Sequence, residues 1–542
     1  MRRHLELKVA TAALLLSGLC ASPAIADEGG EIKALQEKIS NMSNELNELQ
    51  SRVDQTELHT QTDKLSWGVD LRVRADSIHY DNMLMAPPAL TGAFFVPAAQ
   101  GGFNGATVPQ IQQGMGGMIA AGMVPPPDQN DVDNDTIMTN RLRLNMKAKV
   151  NQYLDFAGRI SSYKTFGDST GVKVFQGMND VTFDGTTTSL PRGDQLRLER
   201  AYFNLKGDLG RVPVNFSLGR RPSTEGSPLE YQNYGMVGGS PLAHIINWQF
   251  DGASMAFALE DLSDIPGFAL KLCYGIGFES GWGNSYSLSN QVEDVHLTGF
   301  ITTLYDDGSS VATVNYAHAF DITDGFAGLT VQPFTAAKNP DGSVSFAPNT
   351  GSFISRIEPA TNIGDWDALN FLFTQNLEEA MELDIDTFVS LSYTHTNPST
   401  ISRIPFYEIM GDGLLSSNGD LQNRNGYGVY AGVILPVYEG SKLGFEYNYG
   451  SKYWFNFTGA EDSLVGSKLA TRGSVYEVYF NQPVYSDNFF VTVGSRLYDY
   501  QYTGSGNPLG APVAISDLSA LGAINPVADK VWDYYLSATA RF

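Results

Sequence analysis

Alternating carboxylates are the first candidate for chemistry in this sequence. The stretch D-Q-N-D-V-D-N-D at 128–135 places Asp131, Asp133 and Asp135 at every second residue. Calcium loops use such spacing, but they also need a central glycine and a closing glutamate. Both are absent at the required offsets. We therefore interpret the stretch as a solvated acidic loop and expect no metal site.

Seven histidines are spread along the chain, and none sits beside a recognisable nucleophile motif. His296 and His318, on neighbouring predicted strands, are the best pair, but catalysis would also need a nucleophile and an oxyanion site. There is no C-x-x-C-H haem motif, phosphate loop or dinucleotide fingerprint. We expect no enzyme, no catalytic residue and no cofactor. The net charge of −24 also makes nucleic-acid binding unfavourable.

Basic side chains at every second residue form the strongest chemical pattern. Residues 66–221 carry a net charge of +2, whereas residues 222–542 carry −23. Charges that alternate with apolar residues suit a wall between lipid and water. Facing an acidic remainder, such a patch would bias which ions pass through a water-filled lumen. The candidates for this basic patch are Arg72, Arg74, Arg141, Arg143, Lys147, Arg159, Arg200 and Arg221.

The elements that must position these residues are strands. The last segment, V-W-D-Y-Y-L-S-A-T-A-R-F, alternates between an apolar and a polar face, as a two-faced strand does. The other predicted segments lie at about 67–76, 140–150, 154–165, 196–206, 213–221, 248–259, 268–279, 294–304, 311–320, 366–375, 383–395, 426–437, 443–455, 474–481 and 489–500. Seven short turns alternate with eight long loops, as sixteen antiparallel strands require when both chain ends lie on the short-turn side. G-L-T-V-Q-P-F, within the loop 321–365, leaves the count open by two.

The composition allows either a large soluble all-β protein or a membrane barrel. Charged residues make up only 17% of the chain, and no run after residue 26 is apolar enough for a membrane helix. Residues 1–26 have the basic start, apolar centre and small-residue cleavage site of a secretory signal peptide. This favours an all-β transmembrane barrel of about 16 strands over residues 66–542.

A heptad pattern precedes the predicted barrel. From Ile32 to Thr56, apolar residues recur at two core positions of three heptads, with charged and amide residues between them. The segment 27–65 is therefore predicted to form a short α-helical coiled coil in the periplasm. A lone amphipathic helix is the alternative, because so short a seam is marginal by itself.

The end of the chain carries a recognisable pattern. The last strand must pair with the first so that the barrel has no free edge. Phe542 ends the apolar face that also holds Trp532 and Tyr534. A terminal aromatic on an alternating strand resembles the C-terminal signal that the assembly machinery of bacterial outer-membrane barrels binds.

With this architecture the chain resembles a Gram-negative outer-membrane porin over residues 66–542. It is also similar to a group of large porin-like barrels that have an N-terminal coiled coil and no assigned substrate. The resemblance implies an outer-membrane location with periplasmic termini, contact with lipid and lipopolysaccharide, and a homotrimer. It further implies that the third long loop, about 221–244, folds inward and presents Glu225 and Glu230 to the basic patch. The loop lacks the P-E-F-G-G sequence of general porins, so an ordinary surface loop remains the alternative.

Two functional hypotheses follow from these patterns. The first is a porin that lets small hydrophilic or charged solutes diffuse passively through a water-filled lumen with a charged constriction. The second is a structural barrel, either an anchor plugged by the loop 82–135 or a sheath around a partner protein. An outer-membrane lipid hydrolase is a distant third.

Overall fold

The computed structural model describes residues 65–84, 108–123, 129–167, 191, 193–235, 238–279, 292–324, 328–330, 334–348, 355–357, 359–403, 411–416, 418–518 and 527–542. The predicted signal peptide and, except for Leu65, the predicted coiled coil lie outside the described residues.

Sixteen antiparallel strands close into one barrel, and each pairs with the next barrel strand along the chain. The predicted strand number is therefore confirmed. The barrel strands are β1 (Leu65–Leu84), β2 (Gln129–Lys149), β3 (Leu154–Thr165), β4 (Arg197–Leu209), β5 (Val212–Arg220), β6 (Asp251–Ala258), β7 (Ala269–Phe278), β8 (Val295–Asp306), β9 (Ser310–Thr323), β14 (Asn362–Asn376), β15 (Asp386–Pro398), β16 (Arg424–Pro436), β17 (Lys442–Gly450), β18 (Gly473–Tyr485), β19 (Phe489–Tyr500) and β20 (Lys530–Arg541).

The loop between β9 and β14 holds the remaining short strands. They are β10 (Gly328–Thr330), β11 (Phe334–Lys338), β12 (Val344–Pro348) and β13 (Ser355–Ile357). Within the described residues they pair with one another, β10 with β13 and β11 with β12, so the described parts of the G-L-T-V-Q-P-F segment add no strand to the barrel.

Among the described residues, three α-helices accompany the strands. They are α1 (Val108–Ala120), between β1 and β2, and the single turns α2 (Glu260–Ser263) and α3 (Glu378–Met381) in two short connections. In the part of the chain that the structure describes, no helix has both the length and the apolar character needed to cross a membrane.

Strand β2 begins at Gln129, about a dozen residues earlier than the sequence indicates. The acidic stretch predicted to be a loop therefore belongs largely to a strand. The reason is its neighbour β1, which continues to Leu84 and offers partners. The backbone N–H of Asn82 donates to Oδ1 of Asp131 at 2.9 Å, and His79 Nδ1 lies 2.7 Å from Asp133. Both aspartates are exposed, as the sequence implied.

Strands β1 and β20 join the two ends of the sheet. The Val69 N–H donates to the carbonyl oxygen of Phe542 at 2.6 Å, and the Phe542 N–H donates back at 3.0 Å. The register then pairs Arg74 with Ser537 and Asp76 with Tyr535. The predicted pairing of the last strand with the first is thus present, and its backbone hydrogen bonds extend to Phe542.

Side chains alternate between the lumen and the outer surface. On β20, Asp533 and Tyr535 are buried in the lumen, whereas Tyr534 and Leu536 point outward and are half exposed. Exposed apolar side chains continue around the barrel on other strands, for example Leu71, Phe203, Leu272, Phe371, Val433 and Val493. An outward apolar band of this kind suits a barrel surrounded by lipid.

Candidate functional site in the barrel lumen

Lumen-facing side chains are buried around the whole circumference. In an open, water-filled channel they would be exposed. Buried side chains instead occur on strand after strand, including Arg74, Arg143, Arg159, Ser254, Asn315, Asn370, Ser390, Tyr430, Glu446, Glu477, Arg496 and Tyr535. The described connections that fold inward against them include the third loop (221–250, between β5 and β6) and the seventh loop (451–472, between β17 and β18).

The third loop runs the length of the lumen. It enters from the long-loop end, where the Gly238 N–H donates to the carbonyl of Glu225 at 3.0 Å and closes the base of an excursion. The tip of the excursion reaches the short turns at the other end, where the Tyr234 hydroxyl donates to the carbonyl of Gly440 at 3.0 Å. Arg541, on β20, donates to the carbonyl oxygens of Asn233 and Tyr234 at 2.8 and 3.1 Å.

The returning part of the third loop pairs with the seventh loop. The Asn247 N–H donates to Phe457 O at 2.7 Å, and the Phe457 N–H donates to Ile245 O at 3.0 Å. The Ala460 N–H donates to Asn247 O at 2.9 Å. These bonds satisfy backbone groups that would otherwise be buried without partners, so the two loops form one body, which we call the plug.

Apolar side chains of the plug pack against the barrel wall. Trp454 and Phe457 are at most 2% exposed and belong to a buried cluster with Trp366 of β14. A second cluster joins Leu229 and Leu242 of the third loop to wall residues of β14–β16. A lumen lined by such contacts resembles the packed core of a soluble domain more than a channel.

Glu225 of the third loop meets three arginines of the basic patch. Its carboxylate pairs with Arg143, lies 2.7 Å from Arg159 Nη1 and lies 3.3 Å from Arg200 Nη2. Glu199 of β4 also contacts Arg143 and Arg159, at 3.3 and 3.1 Å. Burial alone would raise the pKa of Glu225, but the three guanidinium groups outweigh it and hold this pKa well below its usual range.

Two further arginines of the patch meet the seventh loop. Asp462 accepts from Arg141 at 2.5 Å and from Arg72 at 3.3 Å. Arg141 also donates to Asp70 of β1 at 2.8 Å. Loop carboxylates therefore neutralise the patch from both parts of the plug.

The remaining basic candidates are placed elsewhere. Arg74 donates to Asp76 at 2.6 Å and to Asp533 at 3.1 Å, within the wall itself. Lys147 is exposed, towards the short-turn end of β2. Arg221 has no ion-pair partner among the described residues. Its guanidinium donates to Ser254 Oγ at 2.9 Å.

The predicted water-exposed patch thus differs from the structure in a consistent way. Six of its eight residues form hydrogen-bonded ion pairs, Arg72 as a partly buried side chain and the other five as buried ones: Arg74, Arg141, Arg143, Arg159 and Arg200. The physical reason is the plug, because charges removed from water must be paired and hydrogen-bonded. The two-residue period of the strands correctly predicted that these side chains point into the lumen, but it did not predict that they are shielded from water.

Glu230 is not brought to the basic patch, contrary to the sequence-based interpretation. It lies further along the third loop, where Glu446 and Asp386 are its charged neighbours. Burial, and secondarily these two carboxylates, raise the pKa of Glu230. Its Oε2 atom has no hydrogen-bond partner among the described residues.

The lumen contains a second charge cluster that was not predicted from the sequence. Lys468 of the seventh loop donates to Glu446 at 2.5 Å and to Glu477 at 2.6 Å. Glu477 also accepts from Arg496 and from the Tyr535 hydroxyl, both at 2.6 Å. The inward direction of the two glutamates follows from the alternation on β17 and β18, but no sequence signal marks Lys468 as their partner.

The residues of the C-terminal pattern lie on the outer surface. Trp532 and Tyr534 point outward with stacked rings, their centroids 5.8 Å apart. The Phe542 side chain is 77% exposed. These positions leave the aromatic face of β20 open to lipid or to a binding partner.

The histidines form no catalytic arrangement in the described part of the chain. His296 and His318 point outward and contact Tyr274 and Asp367, respectively. His244 is fully buried in the plug, with Nδ1 at 3.1 and 2.9 Å from the hydroxyls of Ser390 and Ser392. The described residues also contain no group of three or more His, Cys, Asp or Glu side chains that could hold a metal ion.

Comparison with known sequences gives a family but no activity. The family described as "Protein of unknown function (DUF3373)" matches residues 131–542, about three quarters of the chain. The chain belongs to this family. No curated protein matches the sequence.

Solved outer-membrane proteins share only a distant likeness with the chain. OmpT of Vibrio cholerae, folded in vitro, has 10% identity and a TM-score of 0.40, covering 88% of this chain and 97% of its own. OprB of Pseudomonas putida has 11% identity and a TM-score of 0.39, covering 90% and 97%. OmpF of Salmonella typhi has the same identity and score, covering 88% and 97%. The fold assignment therefore rests on the closed sheet itself.

Proposed function

We propose that this member of the DUF3373 family is a structural barrel of the outer membrane whose lumen is plugged, and that it acts as an anchor rather than as an open diffusion pore. One observation carries the proposal: the third loop crosses the lumen from the long-loop end to the short turns. Arg159 holds the base of that loop through Glu225, and Arg541 holds its tip.

The energy of the plug supports this choice over free diffusion. The third and seventh loops contribute seven large residues to one buried cluster: Ile245, Ile246, Trp248, Phe250, Trp454, Phe455 and Phe457. Burying a large apolar side chain contributes about 1.5–3 kcal/mol. Displacing both loops would therefore cost on the order of 10–20 kcal/mol. Because each 1.4 kcal/mol is a factor of ten in population, spontaneous opening would be very rare.

The outer-membrane setting is part of the same proposal. The apolar outer face suits lipid, and the aromatic face of β20 suits recognition of Trp532, Tyr534 and Phe542 by the assembly machinery. Both ends of the barrel domain lie on the short-turn side, which is periplasmic in such barrels. We further propose contact with lipopolysaccharide and a homotrimer, as the porin resemblance implies.

Passive diffusion is the second candidate, and one observation favours it. Lumen-facing side chains on β2–β7 become accessible towards the short turns. Lys147 and Lys206 are exposed there, and Asn215 is partly so. Water thus enters the lumen from that end, and a path past the plug would allow small hydrophilic or charged solutes to cross.

Single-channel conductance in a planar bilayer tests the proposal. Because Gly238 N–H donates to Glu225 O, replacing 226–237 by Gly-Gly converts the excursion into a tight turn without moving its base. We expect no stable steps from the wild type and clear steps from this variant. A matched control replaces 339–343, the turn between paired Lys338 and Val344, by Gly-Gly and stays silent. Stable wild-type steps in groups of three would overturn the plugged barrel and favour the diffusion pore.

A further inference from the structure

We propose that a cavity between the third loop and the wall strands β6–β9 binds a small oxyanion such as inorganic phosphate. The cavity has a volume of about 70 Å³. Its lining includes Arg221 and Phe250 from the loop side and Ser254, Cys273 and Asn315 from the wall. This inference concerns a binding site and does not depend on whether the barrel conducts.

Arg221 is the group that points to a ligand. Its side chain is 8% exposed, and its guanidinium lies 5.3 Å from the ring of Tyr202. Nη2 donates to Ser254 Oγ at 2.9 Å, whereas Nη1 is buried and has no partner among the described residues. Because an unsatisfied buried donor is unfavourable, and a charged one more so, this nitrogen requires an acceptor that none of the described residues supplies.

A second cation stands beside Arg221 without a carboxylate. Lys271 follows the same lumen-facing alternation of β7 as Cys273, about 7 Å along the strand. It interacts electrostatically with Arg221, and neither residue forms an ion pair with any residue that the structure describes. Other buried arginines of the wall strands, such as Arg143 and Arg159, are paired with carboxylates. Two neighbouring cations with no anion form an electrostatic site for one.

Hydroxyl groups complete the site. Ser217 of β5 lies opposite Ser254 of β6 in the sheet register, and its buried Oγ has no partner among the described residues. Arg221 and Ser254 line the cavity, and Ser217 and Lys271 are their neighbours in the sheet. Guanidinium, hydroxyl and ammonium donors suit the oxygens of a small oxyanion. One water molecule needs a cavity volume of about 10–15 Å³. The cavity of about 70 Å³ therefore has room for a few waters or one small anion. Its position inside the barrel separates it from lipid headgroups.

Thermal unfolding of the full barrel in detergent tests the site, with phosphate as the probe and chloride at equal ionic strength as the reference. We expect phosphate to raise the wild-type melting temperature above the chloride value and to bind at least about tenfold more weakly to Arg221→Gln. Arg220→Gln is the matched control, because this adjacent arginine already pairs with Asp251 at 3.0 Å. It should keep the full phosphate response.

Heat-modifiable migration on gels establishes that each variant folds. If Arg221→Gln does not fold, Lys271→Gln and Ser254→Ala take its place, and each should weaken phosphate binding. A wild-type response to phosphate no larger than that to chloride would show that water alone fills the cavity and would overturn the proposal. A response that survives in Arg221→Gln would overturn it as well.

Discussion

The Glu225 carboxylate lies 2.7 Å from Nη1 of Arg159, although 66 residues of chain separate them. One residue belongs to a loop and the other to a wall strand, so their contact fixes how deep the third loop sits in the lumen. It also explains how a buried row of arginines can exist: a carboxylate that arrives with the plug compensates it.

Replacing Glu225 by Gln should therefore weaken both the fold and the plug. The change leaves Arg143, Arg159 and Arg200 with less negative charge than they need, and removing one partner of a buried pair costs about 3–5 kcal/mol. We expect a loss of this size in the free energy of unfolding, measured in urea, and faster proteolysis within 226–237. Asp194→Asn is the control: this side chain, which pairs with Lys164, is 77% exposed and should matter by less than about 1 kcal/mol. Equal losses in the two variants would contradict the assigned role of Glu225.

Lys468→Met should be strongly destabilising for the opposite reason. It leaves the carboxylates of Glu446 and Glu477 in the lumen without the cation that bridges them. We expect a loss of about 3–5 kcal/mol in the free energy of unfolding. The double variant Lys468→Met with Glu446→Gln should recover part of this loss, giving a coupling energy of about 1–3 kcal/mol in a double-mutant cycle. Strict additivity would show that the bridge contributes nothing.

His244 should make the plug sensitive to acid. Its burial lowers the pKa to about 3, whereas in the unfolded chain an ordinary histidine has a pKa of about 6.5. Below pH 6.5 His244 is protonated in the unfolded chain but stays neutral in the folded protein until the pH approaches 3. Its contribution to stability is therefore complete above that pH and falls by up to about 1.4 kcal/mol per unit towards pH 3.

The measurement is the pH dependence of unfolding for the wild type and for His244→Gln. The difference between the two curves should slope between pH 6.5 and 3 and be flat above 6.5. His79→Gln, at the partly exposed pair with Asp133, is the control. A flat difference over the whole range would mean that His244 titrates as it does in water.

Glycines that face tyrosines across neighbouring strands should resist substitution. Gly494 pairs with Tyr535, and a Cβ atom added at Gly494 would lie 2.3 Å from the ring. Gly494→Ala should therefore cost about 1–3 kcal/mol by displacing Tyr535 from Glu477, as measured by unfolding in urea. Gly207→Ala, where nothing lies within 4 Å of the added atom, should be neutral or slightly stabilising. Similar effects at both positions would contradict this packing argument.

The wall could be predicted from the sequence because its signal is local. A period of two fixes which side chains face the lumen, so the direction of Arg141 and Arg143 followed from their own neighbours. The start of β2 was not predicted, because a local signal is missing there. Its acidic stretch has the composition of a loop, and only pairing with the long β1 makes it a strand.

The plug could not be predicted, because its partners are distant in sequence. Asp462 reaches Arg141 across 321 residues, and Lys468 lies in a loop that has no periodicity. Glu225 was singled out only by its position in the third loop of a porin-like chain. The same argument failed for Glu230, because position along the loop does not determine which wall a side chain meets.

The contact between Arg541 and the tip of the third loop also constrains the order of assembly. The tip lies deep in the lumen, and the residue that holds it is the next to last of the chain. A loop packed this tightly has no easy route into a finished cylinder. We infer that the third loop is in place before the final strand docks, so that this strand closes a barrel that is already filled. Without Arg541 and Phe542, closure of the barrel would no longer depend on the tip of the third loop being in place.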